Sequence, residues 1–350
     1  MKVFVTGGAG FIGSNFIRYV LQAKNSHAIV NYDKLTYAGN LANLHAIAHH
    51  PGYRFVKGDI CDPIAAEAAM RGCDAVVHFA AESHVDRSIY EPAPVIQTNV
   101  TGTFTLLEVA RKLAVSRFVH ISTDEVYGDI GPGAHASEDS PLQPSSPYSA
   151  SKAASDLLVR SYVRTYKFPA LITRSSNNYG PYQFPEKFLP LMITNALYDK
   201  PLPIYGDGEQ QRDWLHVEDN CHGILAVLER GRIGEVYNIG GSHVEENLKM
   251  AQRLLRLTGK PESLLSYVAD RPGHDRRYAL NSSKMERELG WKLEISLEDG
   301  IRKTIEWYKD NSKWVSDVRA GEYLTYYEKY YDDRENSLKA IADSGSKLPA

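Results

Sequence analysis

Short apolar runs alternate with amphipathic stretches through the first half of the chain. Lys2-Val-Phe-Val-Thr6, Ala28-Ile-Val-Asn-Tyr32, Tyr53-Arg-Phe-Val-Lys57, Asp74-Ala-Val-Val-His-Phe79, Arg117-Phe-Val-His-Ile121 and Ala170-Leu-Ile-Thr173 read as strands. Residues Ile12–Leu21, Pro63–Arg71, Val95–Leu113 and Pro147–Tyr166 read as helices between them. Strands that alternate with helices pair in parallel through right-handed crossovers, which predicts an α/β fold: a doubly wound, Rossmann-like parallel sheet with helices on both faces. Beyond about residue 175 the alternation breaks up at Tyr179-Gly-Pro-Tyr182, Pro201–Gly208 and Arg271-Pro-Gly273. A smaller α/β lobe over the C-terminal edge of the sheet is expected there. Glu235-Val-Tyr-Asn-Ile239 reads as a strand that rejoins the large sheet. The expected division is therefore 1–175, rejoined near 235–240, an interleaved lobe over 176–330, and a polar tail over 333–350.

Composition narrows the class. Of 350 residues, 24% are charged and 43% hydrophobic, the balance of a soluble globular chain. The formal net charge of -3 provides no basic field, so neither nucleic acid nor an anionic membrane is an expected partner. Cys61, Cys73 and Cys221 form no C-x-x-C pair, which argues against a disulfide framework and a zinc site and for a reducing compartment. There is no apolar signal region at the N-terminus and no run of about 18 apolar residues, so a cytoplasmic location is expected.

Thr6-Gly-Gly-Ala-Gly-Phe-Ile-Gly13 joins the first strand to the first helix. Gly7, Gly10 and Gly13, with Phe11 and Ile12 between them, suit a tight turn that lets backbone approach a pyrophosphate at a helix N-terminus. Asp33 ends the second strand about 20 residues on, where a carboxylate takes a ribose 2′-OH and repels a 2′-phosphate. NAD is thus expected over NADP, with Lys34 weakening that preference slightly. Asp59 and Ile60, ending the third strand, are candidates to face the adenine.

Tyr148-Ser-Ala-Ser-Lys152 follows Ser145-Ser146-Pro147, a helix start with a serine cap and Pro at the first position. On a helix, residues i and i+4 are neighbours, so the Lys152 ammonium is expected to lower the Tyr148 phenol from its usual ~10 and make it a base. Tyr53 and Lys57 share that spacing, but in a strand they lie about 13 Å apart and read as structural. The fifth strand runs into Ser122-Thr-Asp-Glu-Val-Tyr-Gly128, and the fourth into Ala80-Ala-Glu-Ser-His-Val-Asp-Arg-Ser88. Ligands of open α/β sheets bind at such strand ends, and the adjacent carboxyls Asp124 and Glu125 do not enter a core unpaired.

Together with Asp33-Lys-Leu-Thr-Tyr-Ala-Gly-Asn40 and Asp270-Arg-Pro-Gly-His274, these motifs resemble the dTDP-glucose 4,6-dehydratases, nucleotide-sugar dehydratases of the extended short-chain dehydrogenase/reductase family. The resemblance implies a lyase that oxidises C4 of the sugar with NAD, eliminates water across C5 and C6 and returns hydride to C6, in deoxysugar biosynthesis. It assigns Tyr148 and Lys152 to C4 oxidation, Thr123 to the C4 oxygen, Glu125 to the C5 proton and Asp124 to the departing C6 hydroxyl. To NAD it further assigns Leu35, Thr36, Phe79, Ala80, Ala81, Ser83, Thr98 and Asn178. Around the nucleotide sugar it places Ser83, Thr123, Asn177, Lys187, Phe188, Pro203, Ile204, Tyr205, Arg212, Asn247, Asp270, Arg271 and His274. No histidine shows metal-ligand spacing. It also implies a homodimer paired through the helices at Thr98–Leu113 and Pro147–Tyr166. A 4-epimerase, a decarboxylase or a non-catalytic NAD binder shares parts of this pattern, but Asp124 with Glu125 and the intact Tyr–Lys pair favour the dehydratase.

Overall fold

A computed structural model describes residues 1–22 and 27–320. The expected tail over 333–350 lies outside the described residues. Strands β1 (Lys2–Thr6), β2 (Ala28–Asp33), β3 (Tyr53–Lys57), β4 (Ala75–His78), β5 (Arg117–Thr123) and β6 (Ala170–Ser175) form the first half. The second half adds β7 (Asn177–Tyr179), β8 (Leu202–Tyr205), β9 (Gln211–His216), β10 (Val236–Ile239), β11 (Val244–Glu246) and β12 (Leu265–Val268). One seven-stranded parallel sheet runs β10-β6-β5-β4-β1-β2-β3. Its order reverses between β1 and β4, which opens a crevice beyond their C-terminal ends. Small sheets β11-β9-β7 and β12-β8 make up the lobe above it.

Period-two alternation sends each strand's side chains into two cores. Val3, Val5, Ile29, Val77 and Val119 pack with the helices Phe11–Gln22 and Val217–Arg230 on one face. Phe4, Val30, Val76, Phe118 and Ile172 pack on the other, against the helices Pro63–Met70, Thr103–Lys112 and Pro147–Tyr166. Coverage on both faces explains why β4 and β6 are buried at every position. Met192, Trp214, Met250, Leu254 and Ile305 form the core of the lobe. Tyr53 and Lys57 lie at the two ends of β3 and do not meet.

Two segments depart from the sequence expectation. β5 continues to Thr123, which carries its polar end to the crevice. The single helix expected over 95–113 is divided: Pro92–Ile96 passes through a π-turn, Gln97–Gly102, before Thr103–Lys112 begins. The wide turn turns Asn99 inward. Its amide group accepts from Glu82 N (2.9 Å) and donates to Glu82 O (2.9 Å) and Ser151 Oγ (2.8 Å), tying the loop after β4 to the long helix.

That long helix, Pro147–Tyr166, starts at a capping box between Ser146 and Ser149 with Pro147 in its first turn. Fully buried Asp156 anchors it by accepting from Arg174 Nε of β6 at 2.8 Å. Arg174 also donates to the Tyr127 hydroxyl (2.8 Å), which donates to Asn238 of β10 (2.8 Å). Among the described residues no helix is long and apolar enough to cross a membrane.

Candidate active site

The turn after β1 is dictated by close approach. Gly7 sits at φ +69°, and a Cβ there would lie 2.5 Å from Ala80 N; one at Gly13 would lie 2.3 Å from Gly7 O. At Gly10 the nearest atom would be Gly7 O at 3.3 Å, so its lack of a side chain serves whatever fills the crevice. Behind this turn the helix Phe11–Gln22 begins with no acidic residue in its first turn, leaving a positive dipole end towards the crevice.

Asp33 is buried at the end of β2, where its oxygens accept from Ala9 N (2.9 Å) and Leu35 N (2.8 Å). Burial raises its pKa and these two bonds oppose the rise. Each oxygen keeps a lone pair for a further donor. The Lys34 ammonium pairs with Asp59 at 2.8 Å. Leu35 is corrected: it packs against the core at φ 58° instead of lining the crevice, and only its amide serves the site. Gly7, Gly10, Phe11, Ile12, Gly13, Asp33, Lys34, Thr36, Asp59, Ile60, Phe79, Ala80, Ala81, Ser83, Thr98, Tyr148, Lys152 and Asn178 all line it.

Thr123, Asp124 and Glu125 line the same crevice opposite Tyr148 and Lys152. The Thr123 hydroxyl accepts from Glu125 N (3.3 Å) and donates to Asp124 Oδ1 (3.1 Å), so the strand-end threonine caps the short 3-10 turn Asp124–Tyr127. Asp124 is 3% exposed, and its Oδ2 has no partner. Burial, then the charge of Glu125, lift its carboxyl well above the usual range. Burial raises Glu125 too, but Arg271, Lys187 and Arg212 oppose the rise. Both carboxyls are raised, Asp124 the further, and only Glu125 has three cations opposing the rise.

The Tyr148–Lys152 expectation needs a correction. Tyr148 is raised well above an ordinary phenol, first by burial and then by Glu125 and Asp124. A hydrogen bond with Thr123 opposes that rise. Lys152, pushed down to about 8 by burial, donates to Ile121 O at 2.7 Å.

A second crevice meets the first at Glu125, Asn177, Glu186 and Lys187, which line both. Phe188, Pro203, Tyr205, Arg212, Asn247, Arg271 and His274 line it, as does Asn177. Ser83 and Thr123 line only the first crevice, and two further expected residues line neither. Ile204 points the other way along β8 into the lobe core, as period-two alternation requires. Asp270 stands behind His274, with Oδ1 2.6 Å from His274 Nδ1 and Oδ2 accepting from Gln210 at 2.9 Å. Arg212 is buried, held by the carbonyls of Gln211 and Asp275 and lying over the Tyr278 ring. The amide oxygens of Asn177, Asn178 and Asn247 and the Ser122 hydroxyl are buried at these walls without partners, a set of acceptors suited to the hydroxyls and amides of a dinucleotide and a nucleotide sugar.

Sequence reasoning missed Tyr37, Gln183 and Glu186 on the first crevice and His84, Trp214 and Tyr278 on the second. Tyr37 and His84 stand inside motifs already singled out. Glu186 carried no signal, since its partner Arg87 (3.0 Å) is 99 residues away. Gly10→Ala is expected to weaken NAD binding by about tenfold or more with the melting temperature of the apoprotein unchanged. Gly7→Ala is expected to lower stability itself by about 1–3 kcal/mol. NAD titration and thermal unfolding of the two variants check both outcomes.

The family model described as GDP-mannose 4,6 dehydratase matches residues 4–304. A dTDP-glucose 4,6-dehydratase of Shigella flexneri is 49% identical over 362 residues, covering 96% of this chain and 100% of the relative. One from Salmonella typhimurium is 50% identical over 363 residues with the same coverage. Among solved structures, a dTDP-glucose 4,6-dehydratase from Streptomyces venezuelae with NAD bound superposes with a TM-score of 0.89 at 50% identity, covering 91% of this chain and all of that one. A UDP-glucose 4-epimerase from Thermotoga maritima superposes with a TM-score of 0.83 at 30% identity, covering 89% of this chain and all of that one. A family model across most of the chain and full-length relatives at half identity agree with the acid pair beside the Tyr–Lys couple: the chain belongs to the GDP-mannose 4,6 dehydratase family, alongside the dTDP-glucose 4,6-dehydratases.

Proposed function

We propose that the protein is a NAD-dependent hydro-lyase that converts dTDP-glucose into dTDP-4-keto-6-deoxy-glucose for deoxysugar biosynthesis. The observation that carries this reading is the split between Asp124, buried and lifted well above the carboxylate range, and Glu125, whose rise three cations oppose. Neighbouring groups whose environments drive their pKa values apart are suited to act as acid and base. Epimerisation at C4 needs neither a base for C5 nor an acid for C6.

When bound, NAD supplies a hydride acceptor for C4 and the hydride that C6 receives. The glycine turn and Asp33 hold it. Tyr148 takes the proton of the C4 hydroxyl while Thr123 holds the C4 oxygen, and Lys152 provides positive charge one helical turn away. The proton on Asp124 matters in this step too, because it removes one of the negative charges that oppose ionisation of the phenol. Glu125 then takes the C5 proton, acidified by the new ketone. Asp124 gives its proton to the C6 hydroxyl, which leaves as water, and Glu125 returns its proton to C5 as C6 receives the hydride. Arg212, Arg271 and Lys187 hold the diphosphate, and Tyr205 and His274 flank the base.

Three free thiols fit a cytoplasmic enzyme. Phe104 and Leu157, 46% and 55% exposed on the helices Thr103–Lys112 and Pro147–Tyr166, mark the faces through which two copies pair as a homodimer. Sedimentation equilibrium at micromolar concentration is expected to give a dimer for the wild type and a monomer for Leu157→Glu; a monomeric wild type contradicts the pairing.

Incubation with dTDP-, UDP- and GDP-glucose in parallel is expected to give the 4-keto product from dTDP-glucose. In single turnover, Asp124→Asn is expected to slow loss of water by about 10²–10⁴-fold and to leave C4 oxidation within tenfold, so that NADH accumulates. Equal losses in both steps contradict the role given to Asp124.

A further inference from the structure

The segment Ala80–Ser88 stands out in the sequence, yet the reaction uses only its first part. The rest forms the short helix Val85–Tyr90 on the crevice side of β4, capped by the His84 side chain. Each polar side chain there grips a different wall of the site. Ser88 Oγ accepts from Tyr148 N at 3.2 Å, at the start of the catalytic helix. Arg87 reaches Glu186 with two N–H groups, at 3.2 and 3.0 Å.

Asp86 reaches the nucleotide-sugar side. It is 6% exposed and lines the second crevice. Its Oδ1 accepts from Arg271 Nη1 at 3.0 Å and its Oδ2 from the Tyr205 hydroxyl at 3.0 Å. Tyr205 ends β8, and Arg271 follows β12, the strand paired with β8 through Val268 and Tyr205. One carboxylate from the large sheet therefore fixes two side chains of the lobe, 119 and 185 residues away in sequence.

A carboxylate in a pocket for a diphosphate repels the ligand unless its charge is used. Here each oxygen is engaged, and the guanidinium it neutralises keeps its remaining N–H groups for another acceptor. Arg271 and Tyr205 both carry long side chains whose ordering on binding costs entropy. Ordering them beforehand removes that cost.

We propose that Asp86 is a positioning residue for the nucleotide sugar, holding Arg271 and Tyr205 against the NAD-binding sheet in the arrangement that takes the diphosphate and base. The proposal rests on the reading of the second crevice as the nucleotide-sugar site. It makes Asp86 matter for affinity and not for the chemical steps, and it makes most of the effect of Asp86 pass through Arg271, with a smaller share through Tyr205.

A double-mutant cycle on the holoenzyme tests this, with Asp86→Ala, Arg271→Ala and the double variant. Calorimetry with dTDP gives Kd, and turnover of dTDP-glucose gives kcat and KM. Asp86→Ala is expected to raise Kd and KM by about tenfold or more with kcat within about threefold. In the Arg271→Ala background the same change is expected to cost less than about twofold. An equal cost in both backgrounds, or a fall in kcat with KM unchanged, overturns the proposal. If Asp86→Ala does not fold, Asp86→Asn, of the same volume, carries the same cycle, and Asp86→Glu is expected to restore part of the affinity. A wild type that binds dTDP but does not turn over dTDP-glucose defeats the proposed reaction, while the cycle in Kd still decides the role of Asp86.

Discussion

Asp124 is buried beside its sequence neighbour Glu125, which is half-buried, and such a site does not let two neighbouring carboxyls both carry charge at little cost. The structure meets this constraint by treating them differently. Burial and the charges of Glu125 and Asp213 favour the neutral form of Asp124 and outweigh the single hydroxyl bond it accepts from Thr123, while its Oδ2 has no partner. Glu125 faces Arg271, Lys187 and Arg212 across the junction of the two crevices. The cations proposed to hold a diphosphate thus also oppose the rise of Glu125. Substrate recognition and acid–base chemistry draw on the same charges.

The scaffold makes this arrangement rigid. Seven parallel strands end at one edge, so β1, β2, β4 and β5 deliver the glycine turn, Asp33, the segment Ala80–Ser88 and the acid pair to one crevice. The long helix that presents Tyr148 and Lys152 is anchored one turn later, where Asp156 meets Arg174. Breaking a buried pair of this kind leaves an uncompensated charge and costs about 3–5 kcal/mol. Lys152, by contrast, is buried with a carbonyl as its hydrogen-bond acceptor and is pushed down to about 8, a strain the fold carries at the site of reaction.

What the sequence revealed follows from what is local. The apolar runs located the strands, because strands covered on both faces have little polar alternation to confuse them. The glycine turn, the capped start of the helix at Pro147 and the acid pair were each legible within a few residues. Contacts across long loops were not. The pairing of Lys34 with Asp59, of Arg87 with Glu186 and of Asp86 with Arg271 depends on how loops fold back over the sheet edge. Ile204 was misplaced because a matched motif does not state which way each strand side chain points, and Asp270 because it supports a wall residue from behind. The π-turn at Gln97–Gly102 was hidden, since a widened turn keeps helical spacing on either side. The rise of the Tyr148 phenol was not legible because spacing brings Lys152 near without revealing how fully the ring is buried.

Infrared difference spectroscopy of the wild type against Asp124→Asn, recorded from pH 5 to pH 9, reads the protonation of this one carboxyl. A protonated carboxylic acid band lost in the variant and still present at pH 7 is the predicted result. A carboxylate band at pH 7, with protonation near the ordinary aspartate value of about 3.9, would contradict the division of labour between Asp124 and Glu125.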